Sequence, residues 1–252
     1  MVKKFQVCVE PLTGDKPRTA YVYLPESYKK SRRRRYPVLY MFDGHNVFFD
    51  EDATYGKSWG MAKYLDALRA DLIVAAVECN HEGNGRLIEY SPTPIKYKKE
   101  ILPASGRETM EWMVNEFKPY IDSHYRTMKT PDKTGICGSS MGGLMALFAA
   151  CEYSHVFGKA AALSPSLWLA GKTFMDLMAK ASIRPGTRIY MDCGSKEFDS
   201  RGGGRRAFQM ATDILLRKET FVTSRIVPNG EHCEASWEKQ IPIFMGVLGM
   251  FD

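Results

Sequence analysis

The residues best able to do chemistry in this chain lie in Gly138-Ser139-Ser140-Met141-Gly142. The apolar end of a strand precedes them, and Leu144-Met145-Ala146-Leu147-Phe148-Ala149-Ala150, largely good helix formers, follows. A G-x-S-x-G on a strand-to-helix turn forces its middle serine into strained backbone geometry above the sheet. The glycines two before and two after leave room for the neighbouring chain. Only one frame fits: Ser140 has Gly138 and Gly142 at those offsets, whereas Ser139 has Cys137 and Met141. Ser140 is the candidate nucleophile. Alone, the motif is weak, because a plain βα turn without chemistry satisfies it equally well.

A serine hydroxyl needs a neighbouring imidazole to take its proton, and that imidazole needs an anion to fix its tautomer and stabilise its cation. In α/β-hydrolases the partners follow in the chain order Ser, acid, His. Two histidines lie after Ser140. His155 follows the elbow helix too closely and reads as a surface or helix-end residue. His232 sits in the loop after the last strand, between Gly230 and the closing helix, and is the candidate base. For the acid, Asp192, Glu197 and Asp199 compete around the strand ending at Cys193. Glu197 is favoured because it follows a glycine-led turn and can reach back over the sheet edge. Asp192 lies within the strand, where its side chain can face a covering helix. An oxyanion hole needs two backbone N–H groups aimed at the developing charge. Met141, at the start of a helix, supplies one. The second is expected from His45 or Asn46, in the loop after the strand ending at Phe42.

The elements that must position these groups alternate. Phe5–Val9 and Thr19–Leu24 predict an antiparallel hairpin, and Tyr36–Phe42 and Leu72–Val77 predict strands buried on both faces. Helices are expected over Met61–Leu68, Arg107–Ile121, the segment from the elbow to Cys151, 172 to 181 and about 205 to 218. Further strands are expected at Ala160–Leu163, Arg188–Cys193 and Phe221–Val227, with a closing helix from Ser236 broken near Pro242. From Glu78 to Pro103 the pattern dissolves into a long connection without periodicity, and loops of that length usually have a function. The whole implies a mostly parallel central sheet with helices on both faces. The 23 residues between Leu163 and Thr187 hold one helix, which leaves no room for a large lid domain.

The length of 252 residues is that of one domain with an ample core, and 44% apolar and 25% charged residues are ordinary for a globular chain. The net charge, 35 − 29 = +6, owes much to Lys29-Lys30 and Arg32-Arg33-Arg34-Arg35. That run has no interleaved aromatics and no second basic block, so it reads as a solvated turn rather than a nucleic-acid surface. Six cysteines without C-x-x-C spacing, most in apolar contexts, argue for reduced buried thiols rather than a disulfide framework or a zinc site. The N-terminus has no apolar signal core, and no stretch approaches the length of a membrane span. The expectation is a cytoplasmic protein with no cofactor, no metal, no nucleic-acid partner and no membrane partner. Oligomeric state is not readable, and a homo-oligomer stays open.

With elbow, acid loop and histidine loop placed, the chain resembles the esterase D-like branch of the α/β-hydrolases. That branch includes feruloyl and acetyl xylan esterases, trilactone siderophore esterases, S-formylglutathione hydrolases and mycolyltransferases. The matching segments are Tyr36-Pro37-Val38-Leu39-Tyr40-Met41-Phe42-Asp43-Gly44, Gly138-Ser139-Ser140-Met141-Gly142-Gly143, Ser164-Pro165-Ser166-Leu167-Trp168, Asp192-Cys193-Gly194-Ser195-Lys196-Glu197 and Asn229-Gly230-Glu231-His232. The resemblance implies a serine carboxylesterase with Ser140, His232 and Glu197 in the triad positions and His45 as the second oxyanion donor. Many relatives carry aspartate where Glu197 stands. Arg86, with Glu89-Tyr90, resembles the family's R-x-x-E segment, which orients substrate or forms a structural pair. Trp59, Trp168 and Tyr90 are candidate walls for a small acyl, aryl or sugar ester, although each could equally be core. The rival readings are acyl transfer to an alcohol other than water and a non-catalytic binding protein on this scaffold.

Overall fold

A computed structural model describes residues 1–198 and 203–251. Among them the strands are β1 (Val2–Cys8), β2 (Pro17–Tyr23), β3 (Val38–Met41), β4 (Ile73–Val77), β5 (Ile95–Tyr97), β6 (Glu100–Leu102), β7 (Thr134–Ser139), β8 (Lys159–Leu163), β9 (Arg188–Gly194) and β10 (Phe221–Val227). Eight of these form one sheet in the order β1-β2-β4-β3-β7-β8-β9-β10. Its first two pairings are antiparallel and the six strands from β4 to β10 run parallel.

Both faces of the parallel part are covered, which is why its central strands read as continuous apolar runs. Along β3, Val38 and Tyr40 face one core while Leu39 and Met41 face the other. The first core packs under the helices Gly106–Trp112 and Lys118–His124, joined by one π-turn at Met113–Phe117, and under Met141–Glu152. The second packs under Met61–Leu68 and Ile241–Leu248. The helix Met141–Glu152 is apolar all round and nearly all buried, wedged between the sheet and its neighbouring helices.

The chain leaves β3 toward β4 on one side, and the next parallel strand, β7, lies on the other side of β3. The order therefore reverses beside β3, and the crevice over the carboxyl ends of β3 and β7 is where such sheets bind ligands. The loop of Asp43 to Asn46 and the elbow at Ser140 both open onto it.

The segment from Glu78 to Pro103 is not the structureless connection its composition implies. It holds a short helix, Gly85–Glu89, and the hairpin β5–β6. Long-range pairs hold that helix in place. Arg86 makes a bidentate pair with Asp43, both contacts 2.7 Å, and Glu89 pairs with buried Arg18 at 2.8 Å. Breaking a buried pair of the second kind costs about 3–5 kcal/mol. The basic run at 29–35 lies on the surface, where Lys30 meets Glu26 and Arg34 meets Asp71. Among the described residues no helix is long and apolar enough to cross a membrane.

Candidate active site

Ser140 stands between the last residue of β7 and the first of the helix Met141–Glu152, with φ 56° and ψ −120°. A non-glycine residue there is strained, and such strain persists only where the surroundings over-determine it. Here its N–H donates to Leu163 O at 2.9 Å, while its carbonyl accepts from Leu144 and Ser166, both at 3.0 Å. The flanking glycines are sterically required. A Cβ on Gly138 would sit 2.5 Å from the backbone of Gly142, and one on Gly142 would sit 3.0 Å from Phe42 Cβ.

The loop after β10 brings His232 over the elbow. Ser140 Oγ donates to His232 Nε2 at 2.9 Å, and His232 Nδ1–H donates to Glu197 Oε2 at 2.6 Å. Glu197 ends a single 3-10 turn after β9. Its second oxygen, Oε1, accepts from the N–H of Gly194 at 2.7 Å and from Ser164 Oγ at 2.6 Å. Burial pushes this carboxyl up, but the hydrogen bonds from His232, Ser164 and Gly194 outweigh it and hold Glu197 below its ordinary range. The series Glu197–His232–Ser140 is therefore tautomer-fixed and anion-ended.

Asp192 is not part of that series. It is 1% exposed and turned to the face of β9 that carries Tyr190, whose hydroxyl donates to it at 2.7 Å. Burial pushes its carboxyl up to about 6. Asp199 lies outside the described residues. His155 is exposed and packs its ring on Tyr153, away from the elbow.

Two backbone N–H groups stand in the turns beside Ser140. The N–H of Met141 is the first of its helix and has no carbonyl behind it, and the helix dipole adds positive potential there. His45 lies in a 3-10 turn, Gly44–Asn46, whose first internal bond runs from Asn46 to Asp43 at 2.8 Å, so the N–H of His45 finds no carbonyl within it. One cavity of about 480 Å³ is lined by His45, Ser140, His232 and Trp237 together. The His45 ring is buried, its Nε2 3.1 Å from Thr54 Oγ1, and burial pushes its imidazole below the usual value.

Comparison with known proteins bears on what this arrangement is for. The family described as Putative esterase matches residues 13–242. The chain belongs to that family. Its chemistry is the hydrolysis of carboxylic esters. Among curated proteins it is 27% identical over 180 residues to the uncharacterized protein YbbA of Bacillus subtilis (strain 168), covering 70% of this chain and 67% of that one. Among solved structures, an IroE-like serine hydrolase from Shewanella oneidensis superposes with a TM-score of 0.74 at 20% identity, over 100% of this chain and 79% of its own. A ferulic acid esterase superposes at 0.67 with 19% identity, over 100% of this chain and 99% of its own. At these identities the structural likeness is one of fold.

In this esterase a second cavity, of about 460 Å³, opens on the other side of Ser140 and His232. Trp168, 63% exposed, forms part of its wall. Trp59 does not. It is 3% exposed and packs against Trp237 and Phe244 in the second core, so it backs the histidine loop rather than meeting a ligand. Tyr90 is likewise buried, edge-on to Phe42, with its hydroxyl accepting the Asp43 N–H at 3.3 Å. Arg86 lines both cavities while its guanidinium holds Asp43, the residue before the turn Gly44–Asn46. Arg86 and Glu89 are not a pair with each other, since Glu89 is held by Arg18.

Several further residues wall or brace the site. Tyr97, from the hairpin β5–β6, and Phe198 and Phe208 complete the apolar wall. Ser166 Oγ lies 3.2 Å from Ser140 Oγ. Ser164 receives the indole N–H of Trp237 at 2.8 Å while donating to Glu197. In the sequence these two stand in the matching segment Ser164-Pro165-Ser166-Leu167-Trp168, which does not disclose what they hold.

Proposed function

We propose that this esterase works through an acyl-enzyme on Ser140, with His232 as general base and acid and Glu197 as the orienting anion. Ser140 Oγ adds to the ester carbonyl and its proton passes to His232 Nε2. The carbonyl oxygen becomes an oxyanion held by the N–H groups of Met141 and His45. The tetrahedral intermediate collapses, the C–O bond to the alcohol breaks, and His232 returns the proton to the departing alkoxide. Water, deprotonated by the same imidazole, then attacks the acyl-enzyme and releases the acid and free Ser140. The observation carrying this reading is the unbroken series of 2.6 Å and 2.9 Å contacts from Glu197 through His232 to a serine in elbow geometry.

The substrate class proposed is a small acyl, aryl or sugar ester. The cavity beside Ser140 is walled by Tyr97, Leu167, Trp168, Phe198 and Phe208, which suits an aryl or apolar acyl group. The His232 side chain is 42% exposed, so water can reach the acyl-enzyme, which favours hydrolysis over transfer to another alcohol. A ferulic acid esterase and an IroE-like serine hydrolase share the fold, which makes hydroxycinnamoyl and siderophore-type esters the first to try.

Labelling with a fluorophosphonate tests the nucleophile. The reagent is expected to attach at Ser140 in the native chain and not in Ser140→Ala, which should also lose about 10⁴- to 10⁶-fold in turnover of an activated aryl ester while melting normally. A folded Ser140→Ala enzyme that keeps most of its turnover refutes the assignment. A panel of acetyl, feruloyl and siderophore-type esters then ranks the acyl groups.

A further inference from the structure

The wall of the cavity shared by His45, Ser140 and His232 carries three side chains that ester hydrolysis does not use. We infer that His45, Cys79 and His81 form a binding site for a soft divalent cation of the zinc type. One ligand atom from each of the three lies within 4.8 Å of the others. His45 comes from the turn after β3, while Cys79 and His81 come from the loop after β4, two neighbouring parallel strands.

The second observation is the state of His45. Its ring is 5% exposed and its Nε2 is engaged by Thr54, yet Nδ1 is buried with no partner. A buried ring nitrogen without a partner is destabilising. A cation on Nδ1 satisfies it. His81 meets His45 edge to face, ring centroids 4.6 Å apart, with its Nε2 3.7 Å from the Glu78 carboxylate. His45 thus has an oxygen partner on Nε2 and offers a buried, unpartnered Nδ1, the arrangement by which outer groups orient metal-binding histidines. The Cys79 thiol is buried beside Asp43, which is itself held by Arg86, and a cation bound there takes the place of the thiol proton. Two imidazoles and a thiolate are a borderline-soft donor set that suits zinc, and they leave a fourth position for water or a ligand atom from the cavity.

Tetrahedral zinc, with bonds of about 2.0–2.3 Å, places its donors about 3.3–3.6 Å apart. The cluster must therefore contract by roughly 1 Å. The exposed His81 side chain can move toward buried His45 and Cys79 as part of that contraction. Cysteine spacing in the sequence does not bear on such a site, because its ligands come from the loops after two strands that are neighbours in space, with His45 and Cys79 34 residues apart.

Cobalt(II) reports on such a site without reference to esterase activity. The metal-stripped protein, with exposed Cys8 and half-buried Cys233 replaced by serine, is titrated with Co²⁺ and the near-ultraviolet thiolate-to-cobalt band is followed. The expected result is one equivalent bound, with the band present and displaced by Zn²⁺. Cys79→Ser abolishes the band, and His81→Ala, a surface change that leaves the fold intact, keeps the band but weakens affinity by about tenfold or more. No band in the parent protein, a band that survives Cys79→Ser, or unchanged affinity in His81→Ala each overturns the site.

Discussion

Ser164 makes no contact with a reacting atom, yet it ties the acid to the histidine loop, and Ser164→Ala tests whether that tie matters. Its hydroxyl donates to Glu197 Oε1 at 2.6 Å and accepts the Trp237 indole N–H at 2.8 Å. A hydrogen bond to a charged group is worth about 1.5–3 kcal/mol, and a buried donor left without an acceptor costs about 1–3 kcal/mol. Alanine has the same cost as serine at the positive φ of this position, so backbone strain does not change. Folding stability should fall by about 3 kcal/mol, which for a chain of this size lowers Tm by about 6–12 °C. Catalysis loses less than the full hydrogen bond, because a carboxylate freed of one donor binds the imidazolium more strongly. The expectation is a fall in kcat of about 5- to 50-fold with KM nearly constant. A further readout follows from the sign of the Glu197 shift. Its carboxyl is held low in the folded state, so its contribution to stability is present above the ordinary carboxylate range and lost as pH falls through the folded value. Removing one of the bonds that hold it low raises that folded value, and the midpoint of acid unfolding moves to higher pH. Denaturant titrations across the acid range and steady-state kinetics on an aryl ester measure both. Wild-type kcat together with an unmoved acid midpoint refutes the reasoning.

Glu197→Gln is expected to lower kcat by on the order of 10³- to 10⁴-fold with the fold retained, because the amide no longer enforces the tautomer of His232; activity within about tenfold of wild type rules Glu197 out as the acid. Asp192→Asn separates the buried neighbour from that role, and its kcat should stay within about threefold of wild type. In the native protein Asp192 takes its proton more readily when folded, about 6 against 3.8, so stability falls as pH rises from about 4 to 6, by about 3 kcal/mol. Urea unfolding of Asp192→Asn at pH 4 and 8 should lack that loss, and an undiminished loss refutes the assignment. Trp168→Ala removes an exposed wall of the cavity and should raise KM for an aryl ester about five- to tenfold, with kcat and Tm nearly constant; an unchanged KM moves the substrate elsewhere.

The sheet was legible because its central strands are buried on both faces, and unbroken apolar runs such as Val38–Met41 have few other readings. The elbow was legible because steric need for glycine at two fixed offsets picks out one serine. His232 could be placed because only one loop follows the last strand. The segment after Glu78 was opaque for the opposite reason. Its helix at Gly85–Glu89 is too short to show periodicity and stands because Arg86 and Glu89 reach Asp43 and Arg18, which lie 43 and 71 residues away in the chain. Residue type alone also could not separate Trp59 from Trp168. Both are large aromatics near predicted loops, and only tertiary packing puts one under Trp237 and the other at the cavity mouth.

Ser164 and Ser166, whose part the sequence did not disclose, share one property: they hold reactive groups without reacting. Three loops, after β7, β9 and β10, must bring a hydroxyl, a carboxylate and an imidazole into series, and each loop alone has freedom to miss by more than the series tolerates. Ser164, from the fourth loop after β8, removes that freedom by bonding Glu197 and Trp237 at once, while its own N–H is held by the carbonyl of Asp192 at 2.9 Å. Its neighbour Ser166 donates its N–H to the carbonyl of Ser140 at 3.0 Å, which fixes the elbow to the same loop. Serine in a loop has no distinctive spacing, so this stitching is invisible until the strands are set side by side. The series from Glu197 through His232 to Ser140 is therefore held in place by the two serines after β8, which bond its acid, its histidine loop and its elbow.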